Sequence, residues 1–191
     1  MPIEKSKATD SVSAGFVAKT GFGESSKGGG VYHVQCLDKD GNLKWEAGMH
    51  NLVVSTGLQD MNNKYFKGSS YTAAFYVGLV TGPASATAYA AADTLASHAG
   101  WTEFTDYSGS RKAVTFGTPT TATPSVIDST GAPSSFSITG SGVIAGAFIC
   151  TVSSGTSGIL FSEADFDSPG DRTVVNGDTL NVSYTYSLDA A

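Results

Sequence analysis

The stretch Arg172 to Leu188, RTVVNGDTLNVSYTYSL, decides the fold class. Within it Val182, Tyr184, Tyr186 and Leu188 alternate with Asn181, Ser183, Thr185 and Ser187, the period-two pattern of a strand that buries one face. Upstream, Gly142 to Val152 reads GVIAGAFICTV and is apolar at both parities, as a strand covered on both sides must be. Taken as partners, the two predict an antiparallel sandwich with a buried central strand in the C-terminal half.

Further from that pair the same grammar continues. Val31 to Leu37 (VYHVQCL) and Leu43 to Ala47 flank Asp38-Lys39-Asp40-Gly41-Asn42, whose Asp and Gly read as a hairpin turn. Ser55 or Thr56 caps one short helix over roughly 56 to 66, with Leu58, Met61, Tyr65 and Phe66 at helical spacing. Ala73 to Val80 is again apolar on both faces. Further strands are expected at Arg111 to Gly117, Ser135 to Thr139, Val143 to Val152 and Gly158 to Ser162. Between them, Thr81 to Ser110 is a long run of small residues with sparse anchors. A loop of that length is functional, contact-making, or conceals unrecognised elements. The expectation is an all-β, antiparallel β-sandwich, jelly-roll-like, over residues 31–191, with one short helix and a flexible N-terminal arm over residues 1–30. In the arm, branched apolar residues are scarce, and GGG at 28–30 reads as a linker.

Composition narrows function by exclusion. The chain has 191 residues, enough to bury a core without disulfides or metal, and only 15% of them are charged. A net charge of −6 argues against nucleic-acid binding, which needs clustered Lys and Arg; Lys5, Lys7, Lys19 and Lys27 are spread among Asp10 and Glu24. Cys36 and Cys150 each lie in an apolar run and are expected as buried, unpaired thiols. No apolar stretch reaches signal-peptide or membrane-helix length, so a soluble protein made in the cytosol, with no membrane partner, is expected.

Motifs with chemical promise are few. Asp38 to Asn42 resembles the start of a calcium loop, but Met49 stands where the twelfth-position Glu belongs, and the hairpin turn is the stronger reading. His33, His50 and His98 have no second ligand at metal spacing. There is no Gly-x-Ser-x-Gly elbow, and GGG lacks the Lys and helix of a phosphate loop. Glu163, Asp165 and Asp167 offer a carboxylate pair for glycoside chemistry or, the preferred reading, a solvated loop anchored by Phe161 and Phe166. No catalytic residue, cofactor or metal is expected, and the chain reads as a non-enzyme.

Many short pieces, in order, resemble a family of tailed-bacteriophage virion structural proteins: Leu37 to Trp45, Asn51 to Val54 with Gly57-Leu58, Tyr76 to Leu79, Gly100 to Glu103, Arg111 with Ala113 to Phe116, Gly146 to Phe148, Gly158 to Phe161, and Val175 to Tyr184 around Gly177-Asp178. The likeness spans roughly residues 31 to 188; the arm departs from it. It implies a non-enzymatic particle component, most like a capsid decoration or cement protein that binds the major capsid protein at capsomer junctions on the virion surface. A homotrimer is expected from that role. A tail or fibre component is the first alternative. A carbohydrate-binding module, using Trp45, Trp101 and tyrosines as a stacking platform, is the second. The interface residues expected are Trp101, Glu103, Phe104 and Tyr107 in the long loop and Phe16 and Phe22 in the arm; ordinary core or loop anchors describe the same residues equally well.

Overall fold

The computed structural model describes residues 26–70, 74–83, 89–166 and 170–190. Two antiparallel sheets stack on each other. In the first, β1 (Ser26–Leu37) and β12 (Thr179–Ala190) pair along their whole length, from Ser26 opposite Ala190 to Leu37 opposite Thr179. β2 (Leu43–His50) lies on the far side of β1, while β7 (Ser125–Asp128) and β8 (Ser134–Ser137) share the far side of β12. The second sheet runs β3 (Leu52–Val53), β10 (Leu160–Asp165), β9 (Gly142–Cys150), β4 (Tyr76–Thr81), β5 (Glu103–Phe104), with β11 (Arg172–Val174) also on β9 and β6 (Lys112–Ala113) also on β4. One helix, α1 (Ser55–Tyr65), lies against β10.

The expected sandwich with a short helix is therefore present, but its pairing differs from the one read locally. β12 does not pair with β9; it takes β1, β7 and β8, and β9 is central in the opposite sheet. Alternation along β12 specifies which face is buried and carries no information about which strand lies beside it. Val182 and Tyr184 are inside as expected, whereas Leu188 is 40% exposed.

The Asp38–Asn42 turn forms as expected. Asp38 Oδ1 accepts the N–H groups of Asp40 (2.8 Å) and Asn42 (2.9 Å), and Gly41 takes φ 85°. Those backbone donors hold the Asp38 carboxyl below its ordinary range.

Three local expectations change. β1 begins at Ser26, so the Gly28–Gly30 run is strand and not linker. A Cβ on Gly28 would stand 2.3 Å from the Tyr186 hydroxyl, and one on Gly30 would stand 2.4 Å from that of Tyr184. The missing side chains make room for two aromatic rings leaning across from β12. At the helix start neither Ser55 nor Thr56 caps. Val54 holds the N-cap position without a side-chain bond, and Thr56 Oγ1 donates instead to Leu160 O at 2.9 Å. Gly57 lets the helix approach β10 closely, since a Cβ there would lie 2.4 Å from Phe161 O. Finally, the strand expected over Arg111 to Gly117 contracts to Lys112–Ala113.

The apolar core has two compartments. Between the sheets lie Tyr32, Val34 and Cys36 of β1, Val182 and Tyr184 of β12, and Val77, Leu79, Ala147 and Ile149 of the second sheet. On the outer face of that second sheet, Val80, Ala145, Phe148 and Cys150 are covered by Leu95 and Trp101. β4 and β9 are apolar at both parities for this reason: one face meets the other sheet, and the other meets the long connection. The described part of that connection from Tyr89 to Trp101 is a third layer. Cys36 and Cys150 are buried and free, as expected.

Candidate functional site

The long connection was expected to offer an interface, and the structure turns its bulky anchors inward. Trp101, Phe104 and Tyr107 are 5%, 4% and 6% exposed. Trp101 packs on Phe148 with ring centroids 5.0 Å apart and stacks with His98 at 3.7 Å, while Tyr107 meets Phe136 edge-on at 4.8 Å. All three are core anchors, the other role their sequence allowed, because two faces of the second sheet need cover and these are the bulky side chains in reach. Glu103 forms a two-pronged ion pair with Arg111, Oε1 to Nε at 2.8 Å and Oε2 to Nη2 at 2.7 Å. Arg111 also donates through Nη1 to Val152 O and Gly155 O and lies over the Phe148 ring. One buried guanidinium thus ties three segments together. Phe16 and Phe22 lie outside the described residues.

The acidic run contains the largest departure. Glu163 was expected on a solvated loop; it is fully buried within β10. Its carboxyl is tolerated there because donors meet it. Trp101 Nε1–H donates to Oε2 at 3.0 Å and the Ala90 N–H donates to Oε1 at 3.1 Å. Burial, and next the Asp93 carboxylate, push this carboxyl up to about 8, so near neutral pH it carries a proton and can donate to Asp93. A cleft of about 220 Å3 beside it is lined by His50, Tyr89 and Asp165 among others. In chemical terms this is an acid engaged from both oxygens in fastening the long connection to β10. Asp165 is half-buried, and Asp167 falls outside the described residues.

Asp178 was quoted only as part of a likeness, and it proves to be a structural hub. It is 2% exposed, pairs with Lys44 Nζ at 2.5 Å and accepts the Val175 N–H at 2.8 Å. Despite burial, the Lys44 ammonium and that N–H hold its carboxyl below the ordinary range.

The second candidate is apolar. Met61 of α1, Phe75, Val114, Phe116, Phe161 and Tyr186 line a cavity of about 460 Å3. It shares Met61, Phe75 and Phe161 with a neighbouring groove of about 600 Å3 bounded by Tyr65, Phe66 and Leu188. Tyr65 is 83% exposed and Phe66 77%. Sequence reading missed this groove because α1 and the residue after it supply only one wall, and Phe75, Phe161 and Leu188 come from three distant segments. The exposed Tyr65–Phe66 pair at a helix end was the signal available.

Among the described residues no group of three or more His, Cys, Asp or Glu side chains is arranged to hold a metal ion. Likewise, no described helix is long and apolar enough to cross a membrane. No family model, curated protein or solved structure matches this chain.

Proposed function

We propose that this chain is a non-enzymatic structural component of a tailed-bacteriophage virion, a capsid decoration or cement protein that binds the major capsid protein at capsomer junctions, as a homotrimer, after synthesis in the host cytoplasm. The observation that supports this most is the use made of its reactive-looking side chains. Glu163, the Glu103–Arg111 pair and the Lys44–Asp178 pair are each engaged in fastening one layer or strand to another. A protein whose task is to add binding energy across joints needs that stiffness and needs no turnover; many copies multiply modest contacts into a large avidity. The low proportion of charge suits close tiling, because neighbouring copies repel weakly. The in-order likeness of residues 31 to 188 to virion proteins supports the same reading.

The carbohydrate alternative loses half of its platform. Trp101 is interior, and Trp45 is only part-exposed, set edge-on to Phe166 with Arg172 above it. Cryo-electron localisation of the protein on intact particles tests the proposal. Density at capsomer junctions of the head is expected. Density confined to the tail would replace cement with a tail role, and absence from particles would overturn the virion reading altogether.

A further inference from the structure

We propose that the layer from Tyr89 to Trp101 is a latch, held shut by a proton between Glu163 and Asp93, that opens locally as pH rises while the two sheets stay packed. The inference does not rest on the virion reading. Three observations carry it.

The fastening converges on one side chain. Ala90 and Trp101 stand near opposite ends of the layer, and both donate to Glu163 of β10, at 3.1 Å and 3.0 Å. The same Ala90 N–H lies 3.2 Å from Asp93 Oδ2. One donor thus brings two carboxyls together across the seam, Asp93 from the layer and the fully buried Glu163 from the sheet. With a proton between them they bond; without it, two like charges face each other and one of them is cut off from water.

The surroundings set the sign. Tyr89, Asp165 and His50 line the cleft beside Glu163, Tyr32 feels its charge from the core between the sheets, and His98 stacks on Trp101. Two N–H donors favour an ionised Glu163, but burial and next the Asp93 carboxylate outweigh them, and the closed carboxyl titrates at about 8. Lifted into water it returns to its ordinary 4.5, so the closed layer holds a proton that the open one releases between those values. The open population should therefore grow about tenfold per pH unit from 4.5 to 8 and level off above.

The remainder of the layer is lightly held. From Ala90 to Gly100 only Leu95 is buried, and the Tyr89 hydroxyl has no hydrogen-bond partner among the described residues. A backbone bond from Ser55 N–H to Ala91 O, 2.8 Å, adds to the Glu163 clamp. Few buried apolar contacts mark a segment that opens at less cost than global unfolding.

Hydrogen exchange followed by NMR on the full chain at pH 5 to 9 tests this, each rate being divided by that of an unstructured peptide at the same pH. The Ala90 amide and the Trp101 indole N–H should lose protection by about a thousandfold from pH 5 to 8. They should stay less protected than the Val34 amide of β1 throughout and be insensitive to low urea, as a local opening is. A flat pH profile, or protection equal to that of Val34 at every pH, would overturn the proposal. Glu163→Gln should flatten the profile, and a slope that survives it belongs to another group and refutes the latch. Should that variant fail to fold, Asp93→Asn, altered on the layer and not in the sheet, removes the facing charge and should bring the levelling-off to lower pH. An unchanged profile there overturns the shared proton.

Discussion

The pH dependence of stability around Glu163 puts a number on the buried acid. In the folded chain its carboxyl titrates at about 8; in the unfolded chain it returns to the ordinary value of 4.5. Between those values the folded state holds a proton that the unfolded state releases. The stabilisation is therefore complete below pH 4.5 and is lost as pH rises through 8. One proton over that window, at 1.36 kcal/mol per pH unit, amounts to about 5 kcal/mol. Asp178, whose carboxyl is held low, acts in the opposite sense and below this window: its contribution is present above pH 3.8 and fades as pH falls. Glu163→Gln keeps the shape and removes the titration. At pH 5 the variant should be less stable by about 1–2 kcal/mol, because one amide oxygen replaces two that accept from Trp101 Nε1 and the Ala90 N–H. At pH 9 the order should reverse, since the wild type must then ionise a buried carboxyl beside that of Asp93. Urea midpoints of both proteins at pH 5, 7 and 9 measure this. Parallel profiles, with a constant gap between the two proteins, would refute the account of Glu163 as a buried neutral acid.

Three further outcomes follow from the packing. Gly78→Ala places a Cβ 2.2 Å from Phe148 Cζ, and that ring is held by Trp101 and Arg111, so a loss of about 1–3 kcal/mol by chemical denaturation is expected; an unchanged midpoint would mean the ring can swing away. Arg111→Ala strands Glu103 and the Val152 and Gly155 carbonyls and should cost about 3 kcal/mol, with faster amide exchange in the neighbourhood of residue 155 than in β1. Burial pushes the Cys36 thiol up to about 12 and raises that of Cys150 as well. At pH 8 neither should react with Ellman's reagent until denaturant is added, and rapid labelling of the native protein would contradict their burial.

What could be read along the chain was whatever repeats over a few residues. Alternation in β12 gives its buried face, Asp38 and Gly41 give a turn built from their own backbone bonds, and Leu58, Met61 and Tyr65 give the helix within a residue or so of its bounds. The two-sided apolarity of β4 and β9 already required cover on both faces. What lay on those faces was decided only by tertiary structure. β1 and β12 meet across some 150 residues of sequence, and nothing local to either names the other. The cover supplied by Leu95 and Trp101 comes from a connection of small residues with no period to detect. Glu163 looked like surface because charge is normally solvated, and it is inside because an indole N–H and a backbone N–H from that connection converge on it. Gly28 and Gly30 looked like a linker for a similar reason: one letter serves equally for chain freedom and for the space beneath a tyrosine, and only the ring lying over it distinguishes the two.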